Sequence, residues 1–272
     1  MNNILSDFDK LKVVELNILK EIVRICEKHG IKYYLAYGTL IGAIRHKGFI
    51  PWDDDIDIWM FREDYEKFAK IAPKELGEEF FYQDWKTEKE YPYNFAKVRM
   101  NGTEFKENLT NNMKMHQGIW VDIFPLDKER EDITDKEILK FHERAKRIRT
   151  IIELPLLLKV KDKTIYRIIG KLLYLLVPYN YLHNKLLKME TEFNKTDSDI
   201  YSFKMDEVVN RFNSGDFGDG IMAEFEGEMF RIPKNYDKVL RIEYGDYMQL
   251  PPVEKRVTNH TNKGIDFGNL FD

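Results

Sequence analysis

The stretch AYGTLIGAIRHKGFIPWDDDIDIWM, residues 36–60, decides the reading of this chain. It places four aspartates, Asp53, Asp54, Asp55 and Asp57, within five positions. Carboxylates that close repel one another and raise each other's pKa unless a cation sits among them. FIPWDDDIDIWM (49–60) opens with a Pro-containing turn and then alternates Asp55 and Asp57 against Ile56 and Ile58. That is the period of a strand, so both carboxylates are predicted on one face. The spacing suits a hard divalent ion such as Mg2+, held by a few carboxylates plus substrate phosphate oxygens. Two such ions about 4 Å apart would clamp the attacking and leaving oxygens of a phosphoryl transfer. The competing reading is an acidic, solvated loop. The apolar flanks, Ile50, Pro51, Trp52, Ile56, Ile58 and Trp59, are more than a solvated loop needs.

Upstream, IKYYLAYG (31–38) is β-branched and aromatic and reads as a strand, and TLIGAIRHKG (39–48) as a short helix-like segment. Gly38-Thr39 lies between them. Glycine permits close backbone approach, and amides at a helix start can hold a phosphate; the other reading is an ordinary turn. Further out, Phe8, Leu11, Val14, Ile18, Ile22 and Ile25 predict an amphipathic helix over 7–29, ended at Gly30. A second helix is predicted over 62–72, ended by Pro73. Residues 79–85, 93–100 and 117–124 are strand candidates, the last with Trp120, Asp122 and Phe124 on one face. Residues 134–196 are helical in character, with Pro155 and Pro178 expected to break them into about three helices. A hairpin is predicted over 221–232 with its turn at Glu226-Gly227, and a helix over 235–244. The implied fold is α/β (α+β), a mixed sheet flanked by helices with a helical insertion. The expected division is a catalytic core over 1–130, a basic helical subdomain over 131–200 and a C-terminal segment over 201–272 that returns to the core.

At 272 residues, 43% hydrophobic and 33% charged, the chain can bury a core and is not disordered wholesale. One Cys excludes a disulfide framework and a Cys-rich zinc site. A net charge of −4 argues against a general nucleic-acid binder. That total hides an asymmetry: Lys140 to Lys188 carries 12 Lys/Arg against 3 Asp/Glu. Apolar runs such as LPLLLKV (154–160) and IIGKLLYLLV (168–177) lie in the same stretch, so 140–188 is a candidate for peripheral membrane contact. The opening residues MNNILSDFDK lack the pattern of a signal peptide, and no apolar run is long enough to span a bilayer. The expected location is cytoplasmic, peripheral at the inner face of the membrane.

GTLIGAIRHKGFIPWDDDIDI, followed by HQGIWVDIFPLD (116–127), resembles the LicD family of phosphocholine transferases, to which the fukutin-type ribitol-phosphate transferases are related. YGDYMQLPPVEKRVTNH (244–260) is similar to the family's C-terminal signature. The resemblance implies a nucleotidyltransferase fold, with Gly38-Thr39 at the phosphate turn and Asp55, Asp57 and Asp122 as catalytic metal ligands. It implies Mg2+ as cofactor, as one or two ions replaceable by Mn2+. The donor would be CDP-choline or a similar CDP-alcohol. The acceptor would be a lipid-linked precursor of a cell-surface glycan, teichoic acid or lipopolysaccharide. Arg45 would pair with a donor phosphate. Lys97 and Arg99 share one strand face and either meet the diphosphate or are exposed strand charges. His116 and His260 are ligands, acids or structural groups. Direct roles for Asp53 and Asp54 stay open. Two departures are visible: the spacing from Gly38 to Asp55 is longer than in minimal nucleotidyltransferases, and the single Cys excludes the zinc finger of some fukutin-like relatives.

Trp52, Trp59, Tyr82, Trp85, Tyr91, Tyr93 and Trp120 crowd the same part of the chain. Aromatic faces hold a quaternary ammonium well, but most such residues serve as core, and the sequence assigns no particular cage. Two rival functions remain: nucleotidyl transfer with pyrophosphate leaving, and a non-enzymatic, cation-dependent glycan- or membrane-binding module.

Overall fold

Leu11, Val14, Ile18, Leu19, Ile22, Ile25 and Cys26 form the buried stripe of the first helix, α1 (Asp7–His29). Ser6 caps its start by accepting the Asp9 amide, and Gly30 closes it at φ 59°, where only glycine is unstrained. The computed structural model describes residues 5–107, 110–111, 113–159, 161, 163–204, 210–258 and 264–272. In chain order there follow β1 (Tyr34–Leu35), α2 (Tyr37–Arg45), β2 (Asp57–Phe61), α3 (Arg62–Glu75), β3 (Phe80–Gln83), β4 (Ala96–Met100), β5 (Glu104–Phe105) and β6 (Trp120–Glu129). The helices α4 (Asp135–Lys159), α5 (Thr164–Leu176) and α6 (Tyr179–Glu190) come next. The chain then returns through β7 (Ile200–Ser202), β8 (Phe212–Asn213), α7 (Ser214–Phe217), β9 (Ile221–Phe225), β10 (Glu228–Ile232), α8 (Tyr236–Tyr244) and β11 (Ile265–Asp266).

The main sheet runs β1-β2-β6-β4-β3, with β7 and β8 continuing from the far half of β6. Only β2 and β6 are parallel within it; the other pairs are antiparallel. β6 changes antiparallel partner along its length, from β4 up to Ile123 to β7 from Asp127. Pro125 lies at the changeover, where its missing N–H costs no ladder bond to either partner. The architecture is the expected mixed sheet flanked by helices. A second, smaller core forms where Ala145, Ile148, Ile152 and Leu156 of α4 meet Leu182 and Leu186 of α6 and Tyr91, Met113 and Met115.

Several boundaries differ from expectation. The run 31–38 contributes only Tyr34–Leu35 as strand. The acidic strand begins at Asp57, so Asp55 lies in the loop before it and not on a shared strand face. Thr39 explains that start: its Oγ accepts the Asp57 amide at 2.9 Å, bringing the top of α2 against the strand entry. Pro73 lies inside the last turns of α3 and does not end it. Pro155 lies inside α4, and the break comes after Lys159. The helix runs on through it, the Ile151 carbonyl being the one that Pro155 leaves without its usual donor.

Candidate functional site

The site is assembled from three parts of the chain. Parallel pairing sets Asp57 of β2 opposite Asp122 of β6 in register, and antiparallel pairing sets Lys97 of β4 opposite Asp122 from the other side. Lys97 Nζ lies 2.9 Å from Asp122 Oδ1 and 3.2 Å from Oδ2, and the Trp120 indole N–H donates to Oδ2 at 2.9 Å. The loop before β2 brings Asp53, Asp54 and Asp55 together, with one oxygen of each within 4.8 Å of the others. Gly38 lies directly against this loop: a Cβ there would displace the Asp53 carboxylate. Neighbouring Tyr37 adopts φ 43°, a left-handed conformation unusual for a bulky residue. Its ring rests on Trp59 and Phe124, at centroid distances of 4.8 and 5.5 Å.

These carboxyls strain one another. Burial, then Asp55, Asp122 and Asp53, push Asp57 well above the usual carboxylate range, with Lys97 opposing. Burial raises Asp122 too, but Lys97 and the Trp120 N–H pull it back. Glu15, on the buried stripe of α1, completes the group. Its side chain is fully buried with neither oxygen hydrogen-bonded, and burial followed by Asp55, Asp54, Asp53 and Asp57 raises its pKa far above normal. Three carboxylates on a short loop with two more beside them form an all-oxygen donor set, which fits a hard divalent cation. Asp53, Asp54 and Asp55 are the closest-knit donors; Asp57 and Asp122 stand beside that triplet rather than in it.

Lys97 and Arg99 are both buried, so the reading as exposed strand charges does not hold. Lys97 also meets Glu107 at 3.2 Å and lies over the Trp120 ring at 4.3 Å. Arg99 donates to Gly118 O at 2.6 Å, to Glu107 Oε2 at 3.2 Å and to Gln83. Its guanidinium is wholly covered by protein acceptors and cannot reach a diphosphate in this arrangement. Its part is to hold Glu107 and the β4–β6 face on which Lys97 meets Asp122. Burial works against the Glu107 charge, but Lys97 and Arg99 overcome it and keep its pKa below normal.

Residues 30–158 match the family described as LicD/FKTN/FKRP, nucleotidyltransferase domain. The lipopolysaccharide cholinephosphotransferase LicD of Haemophilus influenzae is 30% identical over 255 residues, covering 92% of this chain and 94% of that protein. The chain belongs to the LicD family. A ribitol 5-phosphate transferase, FKRP of Mus musculus, is 28% identical over 99 residues, 36% of this chain and 18% of FKRP. Its human counterpart is 38% identical over 56 residues, 21% of this chain and 11% of that protein.

The remaining candidates of this LicD-family chain fall in different places. Arg45 ends α2 and donates to Tyr247 O at 2.5 Å and to His46 at 2.9 Å. It lines a cavity of about 420 Å3 with Trp52, Tyr247, Gln249 and Leu250. Arg256, which the sequence did not single out, lies over the Trp52 ring at 5.3 Å; burial and then Arg256 lower the Arg45 pKa. Two guanidiniums that repel each other beside an aromatic face suit an anionic, ring-bearing ligand. His116 is structural: Nδ1 accepts the Gly118 amide at 3.0 Å, Nε2 meets Asn101 Oδ1 at 2.9 Å, and the ring stacks on Phe81. Burial, then Arg99, lowers its pKa to about 4, so it is neutral at pH 7. His260 lies outside the described residues. Glu15 escaped the sequence reading because a single Glu between Val14 and Ile18 looks like the polar side of a helix. The only sequence signal was its position one turn from Ile18 and Leu19 on the stripe.

Proposed function

We propose that this chain is a divalent-cation-dependent phosphotransferase that moves phosphocholine from CDP-choline to a sugar hydroxyl of a cell-surface glycan precursor. The observation that carries this reading is similarity along nearly the whole chain to a lipopolysaccharide cholinephosphotransferase. The acidic loop beside Asp57 and Asp122 supplies the chemical rationale. Residues 1–130 and 201–272 would together form the catalytic unit, with 131–200 as an accessory helical layer.

Asp53, Asp54, Asp55, Asp57 and Asp122 are the groups that would hold Mg2+, which neutralises charge on the diphosphate. Lys97 pairs with Asp122, and one carboxylate of this group would receive the proton of the attacking hydroxyl. The acceptor oxygen bonds to the choline-bearing phosphorus, the bond from that phosphorus to the CMP oxygen breaks, and CMP departs. Arg45 and Arg256 are suited to the departing nucleotide's phosphate, with Trp52 beside them. Phe124, two positions beyond Asp122 on β6, is a half-buried ring that touches the half-buried rings of Tyr37 and Phe95. Such faces suit a trimethylammonium group better than a polyol.

A second reading, nucleotidyl transfer, is favoured by the description of the matching family model. Incubation with CDP-choline, CDP-ribitol or CTP, a glycan acceptor and Mg2+, followed by mass spectrometry, separates the two. CMP formed in step with a phosphocholine-bearing acceptor is expected, and chelation should abolish it. Pyrophosphate with a cytidylated product would replace the first reading by the second. Turnover of CDP-ribitol in preference to CDP-choline would overturn the head-group assignment.

A further inference from the structure

The helix α5 has the sequence TIYRIIGKLLYLL, with no acidic residue and, of its thirteen positions, only Gly170 buried. Ile165, Ile168, Ile169, Leu172, Leu175 and Leu176 recur at the three- and four-residue steps of one helix face. All six are exposed; Leu175 and Leu176 are each 78% accessible and Leu172 58%. This face points away from the protein, because the opposite side carries Gly170, where a Cβ would collide with the backbone of Leu158 and Lys159 in α4. That close approach fixes the rotation of α5, so its apolar residues cannot be turned inward without separating the helices. Arg167 and Lys171 are exposed along one flank, and Lys161 and Lys163 are exposed at the helix entry. Lys159 does not belong to this set, since it pairs with Glu90 and covers the Tyr174 ring.

We propose that the outward face of α5 docks in the headgroup region of a bilayer containing anionic lipid, with Lys161, Lys163, Arg167 and Lys171 on the lipid phosphates. An amphipathic helix lying in the interface needs an apolar face and flanking cations, and α5 has both. Its length excludes the other mode: no described helix is long and apolar enough to cross a membrane. A second copy of α5 is a poorer occupant, because it offers no carboxylate to the cationic flank.

Co-sedimentation tests it, with vesicles of phosphatidylcholine alone or with 30 mol% phosphatidylglycerol. Binding to the anionic vesicles is expected, with the zwitterionic ones left largely unoccupied. Each cation near the surface contributes about fivefold in affinity, so Arg167→Gln with Lys171→Gln should weaken binding by about twenty-five-fold. Raising salt to about 0.5 M should release the protein by screening the same charges. Leu172→Ser with Leu175→Ser should abolish binding, with thermal stability and turnover of a soluble acceptor unchanged. The conservative charge variants keep the test valid should the serine pair fail to fold. Absence from the anionic pellet at low salt overturns the proposal. So does a concentration-dependent dimer that the serine pair disrupts while no vesicle binding occurs, which would assign the face to a second copy. Binding unaffected by either pair of variants would place the contact elsewhere and also overturn it.

Discussion

In α1 the apolar stripe is covered by the sheet and α3, and a carboxyl, Glu15, is covered with it. In α5 the apolar residues face outward, and the buried position is a glycine. Both helices have apolar residues at helical spacing, yet periodicity tells only that a helix has a face, not what lies against it. Burying an unpaired carboxyl and exposing six aliphatic side chains are each unfavourable in isolation. On the reading above, each anomaly stands next to something that binds: a cation beside Glu15 and a lipid surface beside α5.

The largest expected effect tests the α1 side of that contrast. Asp57→Asn or Asp122→Asn should lower transfer by about a thousandfold or more, the several kcal/mol that metal-held phosphate oxygens supply. The fold should survive the Asp57 change, which removes a repulsion and keeps the side-chain shape, whereas the Asp122 change also weakens the buried pair with Lys97, to which Glu107 remains as second partner. Steady-state rates with circular dichroism decide it, and near-normal turnover in either variant would remove that residue from the site.

A paired truncation sharpens the contrast directly. Ile22→Ala, at a fully buried position of α1, should cost about 2–5 kcal/mol of stability. Leu172→Ala, on the open face of α5, should cost no more than about 0.5 kcal/mol. Denaturant titration measures both. Equal costs would mean that α5 is covered in solution and that the contrast is false.

A further effect, visible only as a change with pH, belongs to Glu15. Its folded pKa is raised, so the neutral form favours the fold. That contribution is complete below the ordinary value of 4.5 and is lost as pH rises toward the folded value. Glu15→Gln should therefore match the metal-free wild type at about pH 4 and exceed it by at least about 1 kcal/mol at pH 8. Melting curves across that range check it, and a difference independent of pH would show that Glu15 ionises without penalty.

Much of this was legible in the sequence because it rests on short-range rules. Alternation in QGIWVDIF is kept in β6, where Trp120 and Asp122 share a face closely enough to hydrogen-bond. The Glu226-Gly227 turn has the two positive φ values its hairpin needs. What escaped depends on partners distant in sequence. Asp55 alternates like a strand residue, but the ladder starts at Asp57, where Thr39 intercepts the amide. Arg99 reads as a surface charge until Glu107, Gln83 and Gly118 close around it. Pro155 reads as a helix break, yet α4 continues through it to Lys159, packed against α6. Arg256 acquires meaning only when the C-terminal segment lies over Trp52.

The loop that presents the aspartates is braced from far along the chain. Glu226 receives the Phe49 amide at 2.9 Å and donates its own amide to Lys47 O, while the Tyr247 carbonyl anchors Arg45. During synthesis, residues 36–60 leave the ribosome well before their brace, which starts only at Glu226. Until then the clustered negative charges have no fixed geometry, and the nascent chain holds a site with its residues present and its shape absent. Assembly of the site is thus a late, long-range event, of the kind that slows folding and exposes intermediates to chaperones.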